Sequence, residues 1–276
     1  MKKLFLAALC AAALPLSAAA QETATIEKFA DRRINGLIVS GAFDVQLAQA
    51  DGSSRQAGAK VEIEQEAADQ LVFEYTEEGY VRLTFKNDMS KYFTRSKKKP
   101  QAWVTVSDLK YLNVTGASTV VCTSVFSTAG DLRILTSGNG SVNLLEASAG
   151  TLHADLSGTS DLSDTKLSIR GKAECIQSGT SKMTGTLKAG TVSISLSGMS
   201  GMTLSGGADE AAVELSGTTS ADLETFVIGK INAKLSGMGK VKANVTGGGQ
   251  AEVSTMGSFR YKGTGLVTGK GVKRLD

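Results

Sequence analysis

The amino-acid sequence predicts an all-β fold: a single-stranded right-handed parallel β-helix with coils of about 20 residues and a broader, less regular N-terminal portion. Three observations carry that expectation. A Ser/Thr-Gly pair recurs at nearly constant spacing, apolar columns keep step on both sides of it, and the composition favours small residues. Of 276 residues, 41% are apolar and 5% aromatic, with 31 glycines and 2 prolines. The apolar fraction excludes a disordered chain, and so few prolines exclude a collagen-like or proline-rich stalk. With few bulky rings, small side chains must fill the core at close, regular spacing.

The repeated glycines are Gly116, Gly138, Gly158, Gly179, Gly198, Gly217, Gly237 and Gly257, in steps of 22, 20, 21, 19, 19, 20 and 20 residues. They are expected to mark a structural corner. Four residues before them stand Leu112, Ile134, Ala154, Cys175, Ile194, Val213, Ala233 and Val253. Four after stand Val120, Val142, Leu162, Met183, Met202, Ala221, Val241 and Tyr261. Polar residues lie between, so each side shows the two-residue alternation of a short strand with one buried face. Eight before the glycine stand Asp108, Gly130, Gly150, Gly171, Gly190, Asp209, Gly229 and Gly249, residues that suit a left-handed or sharply turned second corner.

A coil of this length at roughly 3.3 Å per residue has a perimeter of about 66 Å, which suits three short sides. Stacking at about 4.8 Å pairs each side in parallel with its equivalents, and the crossover preference makes the winding right-handed. The hydroxyls of Thr115, Ser137, Ser157, Ser178, Ser197, Ser216 and Ser236 should then form a ladder bonded to neighbouring rungs.

In the first half, Leu37-Ile38-Val39-Ser40-Gly41, followed by Val45 and Leu47, reproduces the pattern 75 residues before Gly116. Segments around Val61-Glu62-Ile63, Leu71-Val72-Phe73, Val81-Arg82-Leu83 and Trp103-Val104-Thr105-Val106 are expected to be longer strands of wider coils, with Phe and Trp in the larger interior. Residues 21–34 are expected to cover the exposed first rung. The expected organisation is one β-helix domain over residues 21–276, with a cap and wider coils over 21–110 and regular repeats over 111–276.

Residues 1–20 read as a secretory signal: Lys2 and Lys3, the apolar run Leu4 to Leu14, and Ala18-Ala19-Ala20 as cleavage site. The mature chain should begin near Gln21 and be exported to the periplasm, the outer-membrane surface or the medium. No later segment approaches 18 consecutive apolar residues, so no transmembrane segment is expected in it. Its formal charge falls from +3 to about +1 with the loss of Lys2 and Lys3, which argues against a nucleic-acid partner.

Residues 37–45, the segment Leu109-Lys110-Tyr111-Leu112-Asn113-Val114-Thr115-Gly116 and the later Ser-Gly copies resemble the head GIN domain family of auto-transporter adhesins, over about residues 27–276. The resemblance implies a right-handed β-helix, an adhesive role and no catalytic residues. A true auto-transporter carries a C-terminal barrel of amphipathic strands, whereas Lys273-Arg274-Leu275-Asp276 follows directly on the last coil, so self-export is not expected.

The sharpest local feature is a basic loop at residues 86–100. Lys86, Lys91, Arg95, Lys97, Lys98 and Lys99 face a single acid, Asp88, for a net charge of +5, with Tyr92 and Phe93 in the middle. Lys91, Tyr92, Phe93, Arg95, Lys97, Lys98 and Lys99 are the candidate ligand-binding residues, a cationic loop with exposed rings suited to a glycan or another cell-envelope component. A solvated, purely structural loop is the plain alternative. Asp155, Asp161 and Asp164 cluster in one coil and are the candidates for an alternative carbohydrate-active lyase or hydrolase, in which two carboxylates would have to converge. A passive envelope scaffold is a third possibility. His153, the sole histidine, should point outward, and no metal site or cofactor is expected. Cys122 and Cys175 fall three rungs apart, about 14 Å, too far for a disulfide.

Overall fold

The computed structural model describes residues 22–51, 56–89, 92–93, 98–254 and 256–275. The predicted signal, residues 1–20, lies outside them. Strands stack in parallel into a β-solenoid of about 8 turns, 65% strand and 2% helix.

The repeat sets the coil. Tyr111–Gly116, Asp131–Thr136, Thr151–Leu156 and Lys172–Gln177 lie on one another along the first side. Thr119–Cys122 and Ser141–Asn143 begin the corresponding stack on the second side, and Val125–Ser127 and Glu146–Ala149 on the third. From Lys182 onward one long strand per coil bends through all three sides, as in Lys182–Leu196 and Gly201–Leu215. The column Leu112, Ile134, Ala154, Cys175, Ile194, Val213 and Ala233 is in register and buried throughout.

The corner glycines from Gly116 to Gly237 have φ between 65° and 78°, the left-handed region. From Gly138 on, a Cβ there would also sit 2.6–3.0 Å from the carbonyl oxygen of the glycine one rung earlier. That carbonyl accepts the N–H of the residue after the next corner glycine, as Thr159 to Gly138 and Thr180 to Gly158, both 2.7 Å. The preceding hydroxyls bond back to the earlier rung, as Ser157 to Thr136 and Ser197 to Gln177.

Two register expectations are corrected at the C-terminal end. Lys240–Val253 to Ser258–Lys262 is a coil of 18 residues, Val241 pairing with Phe259 and Ala243 with Tyr261. Gly257 therefore falls beside Gly239 rather than Gly237 and lacks the positive φ of the ladder. Gly249 likewise pairs with Ile231, and Gly247 instead lies against Gly229. The second corner is not left-handed: Gly130, Gly150, Gly171, Gly190 and Gly229 have no positive φ.

The N-terminal part differs in kind. It comprises β1 (Thr23–Lys28), β2 (Gly36–Gly41), β3 (Asp44–Gln49), β4 (Gly58–Glu64), a one-turn helix (Gln65–Ala68), β5 (Leu71–Tyr75), β6 (Tyr80–Phe85) and β7 (Gln101–Val106). Gly41 pairs with Gly116, and Leu37 and Val39 with Leu112 and Val114, so the 75-residue step is a single rung. The intervening chain turns back: β6 lies parallel on β2 and β7 parallel on β3, forming a rung earlier in space though later in sequence. β5 and β4 add antiparallel to β6 and β7, and β1 adds antiparallel to β4. The opening portion is thus a mixed cap of strands no longer than seven residues, not wider coils of longer ones. Residues 22–34 add its outer strand. Trp103 is outside the core, half-buried under Lys60 Nζ at 5.1 Å, because the alternation of β7 turns Ala102, Val104 and Val106 inward. Phe43 is fully buried, and Phe126, Phe226 and Phe259 fill regular coils.

Candidate binding site

The basic loop leaves β6 and returns as β7, so it takes the place of the glycine corner in the first rung. There its described residues, 86–89, 93 and 99, border the start of the glycine ladder. A groove of about 550 Å³ results. Gly41, Ala42, Gly116 and Ala117 line one side, Phe85, Met89 and Phe93 another, and Lys86, Asp88 and Lys99 complete it. Glycine and alanine follow from the corner geometry, and their lack of side-chain bulk leaves the depression open.

The aromatic residues do not project as exposed rings. Phe93 is 6% exposed, packs on Phe85 at 5.0 Å, and Phe85 stacks on Phe43 at 4.7 Å. The Tyr92 hydroxyl donates to Glu64 Oε2 at 2.7 Å, which together with burial pushes its pKa up to about 12. Both rings anchor the described part of the loop to the cap, with their apolar area packed against the edge of the core. Lys99 Nζ donates to the Ala117 carbonyl at 2.8 Å and lies 3.7 Å from Asp44 Oδ1, tying the loop to two later rungs. Lys98 is exposed. Lys91, Arg95 and Lys97 lie outside the described residues. The small residues of the groove were missed from sequence; the Gly41 to Gly116 register was the signal that could have found them.

The three acids are not on one side. Asp155 projects from the first side, whereas Asp161 and Asp164 follow the Gly158 corner on the second. Burial raises the pKa of Asp161 above the ordinary carboxylate value; Asp164 adds to this and Lys182 opposes it. Asp164 marks a third corner, with φ 53°. His153 points outward with Nδ1 2.8 Å from Glu174 Oε2. Cys122 and Cys175 are buried free thiols, each pushed up to about 12 chiefly by burial. Among the described residues, no group of three or more His, Cys, Asp or Glu side chains could hold a metal ion. No helix among them is long and apolar enough to cross a membrane.

A family model described as putative auto-transporter adhesin, head GIN domain, matches residues 34–174 and 163–265. The chain belongs to the head GIN domain family. Its fold is shared by a putative adhesin from Parabacteroides distasonis, at 18% identity and TM-score 0.68, over 93% of this chain and 98% of that one. A putative adhesin from Parabacteroides merdae matches at 16% identity and TM-score 0.66, over 92% and 97%. A protein described as a putative lipid binding protein from Parabacteroides distasonis matches at 18% and 0.64, again over 92% and 97%. None of the curated proteins matches the sequence. Membership in the head GIN family supports an adhesin-like function and an exported or surface setting.

Proposed function

We propose that this head GIN protein is an exported, non-catalytic adhesin-like module that holds an acidic glycan of the cell envelope at the groove beside its basic loop. The observation that supports it is the groove itself: small and aromatic walls, with Lys86 and Lys99 at its edge, in a segment whose sequence carries one acid among six cations. Apolar walls suit the faces of sugar rings, and the cations suit carboxylate or phosphate substituents. The leader-like residues 1–20 support export.

A glycan array tests it with the wild type and with Lys86→Gln/Lys98→Gln, which leaves the structural contacts of Lys99 intact. Acidic glycans should be retained by the wild type and lost by the variant, without release of shortened sugars. Equal binding by the variant, or turnover, overturns the proposal. Fractionation with protease treatment of intact cells tests the setting; a protein protected inside the cell envelope sinks the surface version.

A further inference from the structure

The C-terminal coils carry a charge pattern that the basic loop does not explain. Residues 240–275 contain seven lysines and arginines and one acid, Glu252. Register turns this composition into geometry. Asp222 pairs with Lys242, Lys242 with Arg260, and Arg260 with Lys273, one above another on the second side. Their neighbours Val241, Ala243, Phe259 and Tyr261 are buried, so Lys242, Arg260 and Lys273 all face outward and are exposed. Lys240 flanks the row on the same strand. Three cations thus follow the solenoid axis at about 4.8 Å intervals.

Like charges directly opposite on paired strands destabilise a sheet. On the first side the corresponding rungs alternate in sign, Glu214 with Lys234 and Lys234 with Glu252. The nearby acids offset only the Lys242 end of the cationic row. Asp222 Oδ1 accepts the N–H of Glu224 at 3.2 Å, and the Glu224 carboxylate lies 3.8 Å from Lys242 and 3.7 Å from Lys262. Among the described residues, Arg260 and Lys273 have no ion pair. Arg274 is turned away, donating to the Gly263 carbonyl at 2.7 Å. Lysines on a terminal strand discourage edge-to-edge pairing, which accounts for Lys273 but not for Arg260 and Lys242 on the rungs behind it.

We propose that the row Lys242, Arg260 and Lys273 is an axial anion-binding track for a linear acidic polysaccharide. A polyuronate carries one carboxylate on every sugar, an extended line of anions to set against a line of cations, and several weak pairs along one chain add by multivalency. The track is at the opposite end of the molecule from the basic loop and does not rest on the groove reading.

Polygalacturonate immobilised on a sensor surface is the probe, with Lys242→Gln/Arg260→Gln/Lys273→Gln compared with the wild type over a salt series. The triple variant should bind about tenfold or more weakly, and its salt dependence should fall by two to three charges. Lys86→Gln/Lys98→Gln should keep this binding, which separates the track from the groove. Free galacturonate, at equal carboxylate concentration, should compete poorly. Equal binding by the triple variant overturns the proposal, as does equal competition by the monomer. Equal retention on duplex DNA or on anionic vesicles overturns the assignment to polysaccharide. Self-association of the triple variant in size-exclusion chromatography with unchanged polyuronate binding would reduce the row to edge protection. Circular dichroism should show all variants folded, because every substituted side chain is exposed.

Discussion

The regular coils and the N-terminal cap are made of the same short strands but solve different problems. In the coils, chain order and spatial order agree, each rung touches only the one before and the one after, and a left-handed glycine recurs at the first corner of every turn from Gly116 to Gly237. In the cap the orders disagree: β2 and β3 lie between β6 and β7 on one side and the 111–122 rung on the other. Stability in the coils is a sum of near-identical neighbour contacts. In the cap it depends on contacts that no repeat unit supplies, chiefly the Phe43, Phe85 and Phe93 stack. An open solenoid end exposes strand edges, and antiparallel strands are what cover it here.

The largest break in this comparison should come from Gly179→Val. It combines a β-branched residue at φ 72° with a Cβ 2.6 Å from the Gly158 carbonyl oxygen, and the expected loss is about 3–5 kcal/mol by denaturant unfolding. Phe226→Ala empties a fully buried site within the coils and should cost about 3–4 kcal/mol, with faster hydrogen exchange in the rungs above and below. Phe93→Ala, in the cap, should cost about 2–3 kcal/mol, since the loop can partly collapse onto the site, and its faster exchange should be confined to residues 58–106. Exchange spread evenly over the whole chain in both variants would erase the distinction between the two regions.

Smaller effects sharpen it. The raised pKa of Asp161 means that the folded state binds its proton more tightly than the unfolded state does. Stability at this site is therefore greatest at low pH and is lost as pH rises from the ordinary carboxylate value through the raised one. Asp161→Asn should raise Tm at pH 7, with the gain shrinking as pH falls through that window; a gain independent of pH would contradict the burial argument. Gly130→Ala should do least. No atom lies within 4 Å of a Cβ there and φ is not positive, so the change should be neutral or stabilising by up to about 1 kcal/mol. A large loss would show that the second corner is as constrained as the first.

The coils were legible because their constraint is periodic. A glycine at Gly138, Gly158 or Gly179 sits in a column whose neighbours are forced apolar, and seven copies expose the rule. The cap was legible only as strands. Val81-Arg82-Leu83 shows the alternation of β6, but nothing local says that β6 packs on β2, because that pairing spans 44 residues and occurs once. The candidate site shared this limit. The loop was visible as charge, whereas the burial of Phe93 and the groove beside Gly41 depend on which rung the loop borders. At the far end an 18-residue coil broke the spacing rule, so Gly257 was placed two positions out of register and the vertical alignment of Lys242, Arg260 and Lys273 stayed hidden.

The interleaving of β2 and β3 between earlier and later rungs gives the two ends of the molecule different mechanical characters. Tension drawn through the C-terminus meets one edge rung at a time and can peel the stack as a series of small, similar releases. Tension drawn through the N-terminus first strips β1 and then meets a rung gripped from above and below, which must yield as a block. Single-molecule pulling from either end should separate a ripcord from a clamp, and an adhesive module of this architecture would bear load best when tethered through its cap.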